Sequence, residues 1–297
     1  MKINSAFNLK NISQILDDYK AYDSLSFDML SDLITKAELE VKAVGKPLIR
    51  EIHHLACTGG TLITKCINAL PNTYILSEVN PLAERHTNLT KPDFRPTDII
   101  SLIKYTQFPF QEALIKKVFE SQIKLVNEEV QNSGGHLVLR VHSHTDFNSE
   151  ESQYSLTTTE ILRDSFDIMK LATVRHPVDS YLSLKANGWL HFSPATFEEY
   201  CRRYLLFIAE FKDSELIKYE DFVEDPLSIT ESIAQRLCLP FDESFLSTFD
   251  QIKLTGDSGR SGHTIEPRPR KALQESFLKE IEKSVSYHEL VAKLAYN

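Results

Sequence analysis

Short apolar runs rich in β-branched residues alternate along this chain with stretches of helical period, and no other feature constrains the fold as much. The strand-like runs lie at 48–55, 74–76, 136–141, 166–174 and 216–219. Between them, an apolar segment reaches Leu70 before Pro71 stops it, and residues 110–131 carry Phe110, Ala113, Leu114, Val118, Phe119, Ile123 and Val126 at helical spacing. Pro177 and Pro226 sit where a first helical turn tolerates proline. Further helices are predicted over 195–211, from Pro226 to near Cys238, and from Ala272 onward. Strands and helices alternating at these lengths predict an α/β three-layer sandwich, a central parallel sheet with helices on both faces. Residues 1–45 read as a helical lead-in, 46–297 as the α/β domain, and 253–271, rich in Gly, Ser, Pro and Arg, as a loop.

Charge and cysteine usage narrow the function. A formal net charge of -9 over 297 residues disfavours a general nucleic-acid binder. It leaves room for a small anionic ligand, because a local cluster of Arg and backbone N–H groups can hold one inside an acidic protein. Cys57, Cys66, Cys201 and Cys238 form no CxxC pair and no zinc spacing, which fits a reducing compartment. The first residues carry no apolar core of a secretory signal, and no stretch approaches a membrane span. The expectation is a cytoplasmic protein without a bound metal.

The chemistry concentrates at strand ends, where parallel sheets bind ligands. His53-His54-Leu55-Ala56-Cys57-Thr58-Gly59-Gly60-Thr61-Leu62 runs from a strand through a small-residue turn into a helix start. Glycine permits the tight turn, aligned N–H groups face one way, and the helix dipole adds partial positive charge. No GK[ST] closes it, so it is not a Walker A loop. The fourth strand ends in Arg175-His176-Pro177, with Ser183 eight residues past the arginine. Arginine grips phosphate with a bidentate fork and serine adds a donor. Lys218-Tyr219-Glu220-Asp221-Phe222-Val223-Glu224-Asp225-Pro226 follows, then Leu237-Cys238-Leu239-Pro240-Phe241. A late basic loop holds Gly256-Asp257-Ser258-Gly259-Arg260 and Arg268-Pro269-Arg270-Lys271-Ala272.

These marks, in this order over roughly residues 48 to 275, resemble the sulfotransferases that use 3′-phosphoadenosine-5′-phosphosulfate (PAPS). The resemblance implies a P-loop-containing NTPase-like fold. Cys57, Thr58, Gly59, Gly60, Thr61 and Leu62 would form the cradle for the 5′-phosphosulfate. Arg175 and Ser183 would hold the 3′-phosphate, Arg270 and Lys271 would close over it, and Tyr219 would lie near the adenine. Arg260 is a further nucleotide candidate, with a solvated loop cation as the plain alternative. The chain departs from the pattern at Cys57, where many members carry Lys or Arg, and at Leu62, where cytosolic members often carry Trp. Lys65 or Arg140 can supply the missing cation.

Two residues compete as general base. Arg140 and His142 match the Lys-x-His that cytosolic sulfotransferases carry at a strand end, and His144 shares that side if the strand continues. Glu78, after the second strand, resembles the catalytic Glu of the tyrosylprotein and heparan-type enzymes. Both readings stay open. So do a P-loop kinase using ATP and magnesium, and a non-catalytic PAPS-binding module. The expected acceptor is a small molecule, walled by 82–110, 145–160 and the helical N-terminus. Phe108, Phe110, Trp189 and Phe192 are either its apolar lining or core.

Overall fold

In the computed structural model, residues 45–84, 91–106, 108–150, 152–256, 264–267, 270 and 272–296 are described. The helical lead-in read over 1–45 lies, but for Gly45, outside the described residues. The apolar runs become β1 (Leu48–His54), β2 (Thr73–Val79), β3 (His136–Val141), β4 (Asp167–Val174) and β5 (Leu216–Lys218). They form one sheet in the order β2-β3-β1-β4-β5, and every pairing is parallel. Parallel neighbours cannot be joined by tight hairpins, so the chain crosses over through helices. These are α1 (Gly60–Asn68), α2 (Ile99–Lys104), α3 (Gln111–Asn132), α4 (Ser143–Phe147), α5 (Thr157–Leu162), α6 (Pro177–Asn187) and α7 (Phe197–Ala209). After β5 come α8 (Tyr219–Glu224), α9 (Pro226–Arg236), α10 (Phe245–Thr248), α11 (Glu275–Lys283) and α12 (Val285–Lys293).

Side-chain alternation along the strands sorts the helices onto two faces. Ile52, Val138, Leu171 and Ile217 point one way and pack with Ile63 and Ile67 of α1, Phe222 of α8, Ile233 of α9 and Phe245 of α10. Ile49, Leu137, Leu139 and Val141 point the other way, against Phe119 and Ile123 of α3 and Leu162 of α5. Ala172 and Val174 share that second side with Tyr181 of α6 and Tyr200, Tyr204 and Phe207 of α7. With both faces covered, the strands carry apolar residues on both faces rather than in strict alternation, which is why the sequence reveals them. The helix starts follow local rules. Pro177 opens α6, and Pro226 opens α9 behind Asp225, whose side chain accepts the N–H of Ser228.

Three elements differ from the sequence reading. β2 extends to Val79, so Glu78 lies inside the strand rather than after it. β3 stops at Val141 and the chain turns into α4 at Ser143, so His144 does not alternate with His142 along a strand. No propensity signals α4, and tertiary bonds hold it: Ser143 Oγ lies 2.9 Å from His53 Nδ1, while Asp146 accepts from Asn80 Nδ2 at 2.9 Å and Thr157 Oγ1 at 2.8 Å. The tail after Ala272 forms two helices, α11 and α12, because Ser284 breaks the first and caps the second by accepting from the N–H of Tyr287.

The aromatic cluster on α7 fixes the backbone at the end of β4. The Tyr204 hydroxyl accepts the N–H of Arg175 at 2.8 Å and donates to its carbonyl at 3.1 Å. Phe207 supports Tyr204, with ring centroids 6.2 Å apart, and meets Phe147 at 5.4 Å and Phe211 at 5.2 Å. Phe207→Ala therefore removes a fully buried ring, and urea unfolding is expected to report a loss of about 3–5 kcal/mol.

Candidate active site

The loop between β1 and α1 owes its shape to two glycines. Gly59 caps α1 at φ 87, in the left-handed region that a residue with a Cβ adopts at a cost of about 1–2 kcal/mol. A Cβ there would stand 2.1 Å from Tyr219 Cδ2, and one on Gly60 would stand 2.5 Å from His54 Cγ. The loop thus packs between two aromatic rings with no room for side chains. The first turn of a helix leaves N–H groups without internal partners, and the first turn of α1 holds no acidic residue. The Thr58 hydroxyl turns inward, donating to the Leu55 carbonyl at 2.7 Å and lying 3.3 Å from Thr173 Oγ1. The Thr61 hydroxyl faces the next group of residues instead.

That group centres on Arg140, only 2% exposed in its side chain. Its Nη2 donates to Thr61 Oγ1 at 2.8 Å, and lies 3.0 Å from His54 Nε2 and 2.7 Å from Glu78 Oε1. Its Nη1 donates to Ser77 Oγ at 3.0 Å and to the Thr255 carbonyl at 3.1 Å. Ser77 and Glu78 are consecutive, yet both face Arg140. A regular strand forbids this. The register shifts between Ser77 and Val79, and Glu78 takes φ 62, so a bulge turns the second side chain to the same side. Gly256, at φ 71, lies against the carboxylate, where a Cβ would stand 2.5 Å from Oε1. Thr255 Oγ1 donates to the Ser77 carbonyl at 2.7 Å and ties the covering segment to β2.

The electrostatics follow from this packing. Burial pushes the His54 imidazole down and Arg140 pushes it further, while Glu78, 3.4 Å from its Nε2, pulls it up. Burial opposes ionisation of Glu78, but His54, Arg140 and His142 outweigh it and hold the carboxyl at about 2. Among these neighbours, Arg140 keeps its charge at any pH near neutrality. His142 Nε2 lies 3.9 Å from Glu78 Oε2, with the side chain 18% exposed. The His144 ring stacks over that of His142 at 6.3 Å, and its Nδ1 accepts the N–H of Ala56 at 3.3 Å.

On the far side of the loop, Arg175 leaves the end of β4. Its Nη1 donates to the Cys57 carbonyl at 3.3 Å, and its guanidinium lies 4.8 Å from the centre of the Tyr219 ring. Cys57, a free thiol, takes φ 69, and its sulfur accepts from Asn187 Nδ2 at 3.8 Å. Ser183 lies on α6, its carbonyl accepting from Asn187 Nδ2 at 2.7 Å. Arg270 Nε pairs with Asp179 Oδ2 of the same helix at 3.2 Å. Arg260, Arg268 and Lys271 lie outside the described residues.

The structure therefore gathers Cys57, Gly59, Gly60, Thr61, Arg140, His142, Glu78, Arg175 and Tyr219 around the carboxyl ends of β1, β3 and β4. Lys65 stands a turn further along α1, half-buried, and Leu62 packs partly against the core beneath. Phe192 is core, Trp189 is half-buried, and Phe108 and Phe110 are exposed. His54, no candidate in the sequence reading, contacts Arg140 and walls Gly60. Its position on the same strand face as Ile52 was the available signal, since Ile52 pairs with Arg140. Among the described residues, no group of His, Cys, Asp and Glu is placed to hold a metal, and no helix is long and apolar enough to cross a membrane.

No family model and no curated protein matches the chain. Among solved structures, the chain is similar to three sulfotransferases. The sulfotransferase domain of the Synechococcus PCC 7002 olefin synthase shares 18% identity at a TM-score of 0.47, over 86% of this chain and 97% of that one. A sulfotransferase from Alicyclobacillus acidocaldarius shares 13% at 0.42, over 86% and 98%. The sulfotransferase STF9 from Mycobacterium avium shares 16% at 0.42, over 88% and 79%. At these identities and TM-scores the chemistry has to be read from the site itself.

Two outcomes test the geometry. Gly59→Ala is expected to lower stability by at least about 1–2 kcal/mol in denaturant unfolding, from the left-handed φ alone. Glu78 carries a folded-state pKa of about 2 against an ordinary 4.5, so its stabilisation is complete above about 4.5 and fades as pH falls toward 2. The stability gap between the wild type and Glu78→Gln should therefore narrow across that window in thermal melts. A gap that stays constant with pH would mean that the carboxylate is not held ionised by its neighbours.

Proposed function

We propose that this protein is a sulfotransferase that moves a sulfuryl group from PAPS to a hydroxyl or amine of a small-molecule acceptor. The observation that carries this reading is the approach of Arg175 to the β1–α1 loop, Nη1 to Cys57 carbonyl 3.3 Å. It makes two anion-binding features neighbours. The N–H groups of a helix start suit a 5′-phosphosulfate. An arginine fork, with Ser183 on the following helix, suits a 3′-phosphate. A nucleotide with one phosphate chain has no use for the second feature.

In this reading the acceptor oxygen or nitrogen attacks sulfur in line with the bridging oxygen of the phosphate. The new bond to sulfur forms as the S–O bond to the phosphate breaks, and adenosine 3′,5′-bisphosphate leaves with the electron pair. Groups aimed at that developing charge carry the catalysis, here the loop N–H groups and Arg140 beside Thr61. Arg140 takes the part of the cation that Cys57 cannot supply. His142 is the better base. Glu78 is engaged by Arg140 and is too weak a base at neutral pH, since its carboxyl sits at about 2. His142 is partly open to the cleft, with Glu78 3.9 Å away to balance the imidazolium it becomes.

Isothermal calorimetry with adenosine 3′,5′-bisphosphate, beside ATP with magnesium, tests the reading. The wild type is expected to prefer the bisphosphate. Arg175→Ala is expected to weaken that binding by about 1.5–3 kcal/mol, the range for a hydrogen bond to a charged group, while the protein stays folded. Preference for ATP would return the kinase reading, and unchanged affinity in Arg175→Ala would remove the 3′-phosphate site.

A further inference from the structure

Glu220 touches none of the side chains assigned above, yet it bonds the backbone next to one of them. Its carboxylate accepts two hydrogen bonds: the backbone N–H of His176 reaches Oε1 at 3.0 Å, and the Tyr296 hydroxyl reaches Oε2 at 2.7 Å. His176 follows Arg175, so the first bond pins the peptide from which the Arg175 side chain departs. Tyr204 grips the same backbone through the N–H and carbonyl of Arg175. Tyr219, next to Glu220 in sequence, supports the guanidinium by its ring face. Tyr296 is itself fixed, its ring centroid 5.2 Å from that of His176 and 4.8 Å from Lys218 Nζ.

A carboxylate near a proposed phosphate site is electrostatically unfavourable, so charge does not account for Glu220. Its reach does: one side chain spans a backbone N–H and a hydroxyl 76 residues further along the chain. We propose that Glu220 is a positioning residue that, latched by Tyr296, aims Arg175 and thereby sets the preference for nucleotides bearing a 3′-phosphate. The inference rests on the PAPS reading.

Two conservative variants separate reach from charge. Glu220→Asp keeps the charge and shortens the side chain by one methylene, so it cannot hold both partners. Glu220→Gln keeps the length. Its amide oxygen can accept from His176, and its amide N–H can donate to the Tyr296 oxygen. The experiment measures dissociation constants of the full chain for adenosine 3′,5′-bisphosphate and adenosine 5′-monophosphate by calorimetry, with melting temperatures alongside. Positioning predicts that Glu220→Asp loses about tenfold of the preference for the bisphosphate, equivalent to about 1.4 kcal/mol, with 5′-monophosphate affinity unchanged. Glu220→Gln retains the wild-type preference, and Tyr296→Phe, which leaves both assigned residues in place, loses a smaller part of it.

The inference is overturned if Glu220→Asp keeps the wild-type preference, or if it weakens both nucleotides equally, as a general loss of structure would. It is also overturned if Glu220→Gln tightens bisphosphate binding while Glu220→Asp changes nothing, which is the signature of charge alone. A wild type that fails to prefer the bisphosphate is a separate result, and it removes the PAPS reading itself.

Discussion

A guanidinium sealed at the end of β3 cannot be left without partners, and meeting its demand organises the cleft. Arg140 draws on Thr61 of α1, His54 of β1, Ser77 and Glu78 of β2 and the Thr255 carbonyl of the covering segment. Each contact fixes a different element against the same point. A buried ion pair contributes little net stability over an apolar pair of similar size, because desolvating both charges costs about as much as their attraction returns. Breaking one partner, by contrast, strands a charge. Arg140 is thus better understood as what holds three strand ends and a helix start in one arrangement than as a source of stability.

The bulge in β2 follows from the same demand. Side chains of a regular strand alternate faces, so Ser77 and Glu78 could not both reach Arg140. Giving Glu78 a left-handed φ places two oxygen-bearing side chains on one side. The strain is compensated by what it secures: a carboxylate against the guanidinium, with Gly256 close-packed over it because no larger residue fits there. Any shift of β2 register would therefore be felt at Glu78, at His142 beside it and at the 252–256 segment together.

These contacts also mark where sequence reasoning stops. β1, β3 and β4 were legible because strands buried on both faces carry apolar residues at adjacent positions, broken only by a few polar ones such as Arg50 and Arg140, and α6 and α9 because Pro177 and Pro226 announce their first turns. Arg175 was visible as an arginine at a strand end, which alone is compatible with a surface cation; only the resemblance implied a phosphate role for it. Glu78 was visible as a residue but not as part of the strand, since a bulge breaks the alternation by which strands are read. His144 was placed by extending β3, whereas α4 depends on tertiary contacts such as Ser143–His53 and Asp146–Asn80, 90 and 66 residues apart. Glu220 belonged to a recognisable Tyr-Glu-Asp run, but its bonds to His176 and Tyr296 span 44 and 76 residues. Local pattern carries no trace of them.

The substitution at Cys57 changes where positive charge enters the proposed chemistry, and with it the task of Glu78. A cation on the loop would act alone. Arg140 arrives from the neighbouring strand with a carboxylate attached, so before reaction its field is largely cancelled. On the proposed reading, His142 gains a proton as the acceptor attacks, and Glu78, 3.9 Å away, then faces two cations instead of one. The cluster as a whole therefore gains one positive charge at the moment when the bridging oxygen near Thr61 gains negative charge. Interactions that strengthen only as the transition state forms are the ones that raise turnover. A cluster that gains positive charge as His142 takes up the acceptor's proton is such an interaction, with Glu78 placed to hold both His142 and Arg140 in reach.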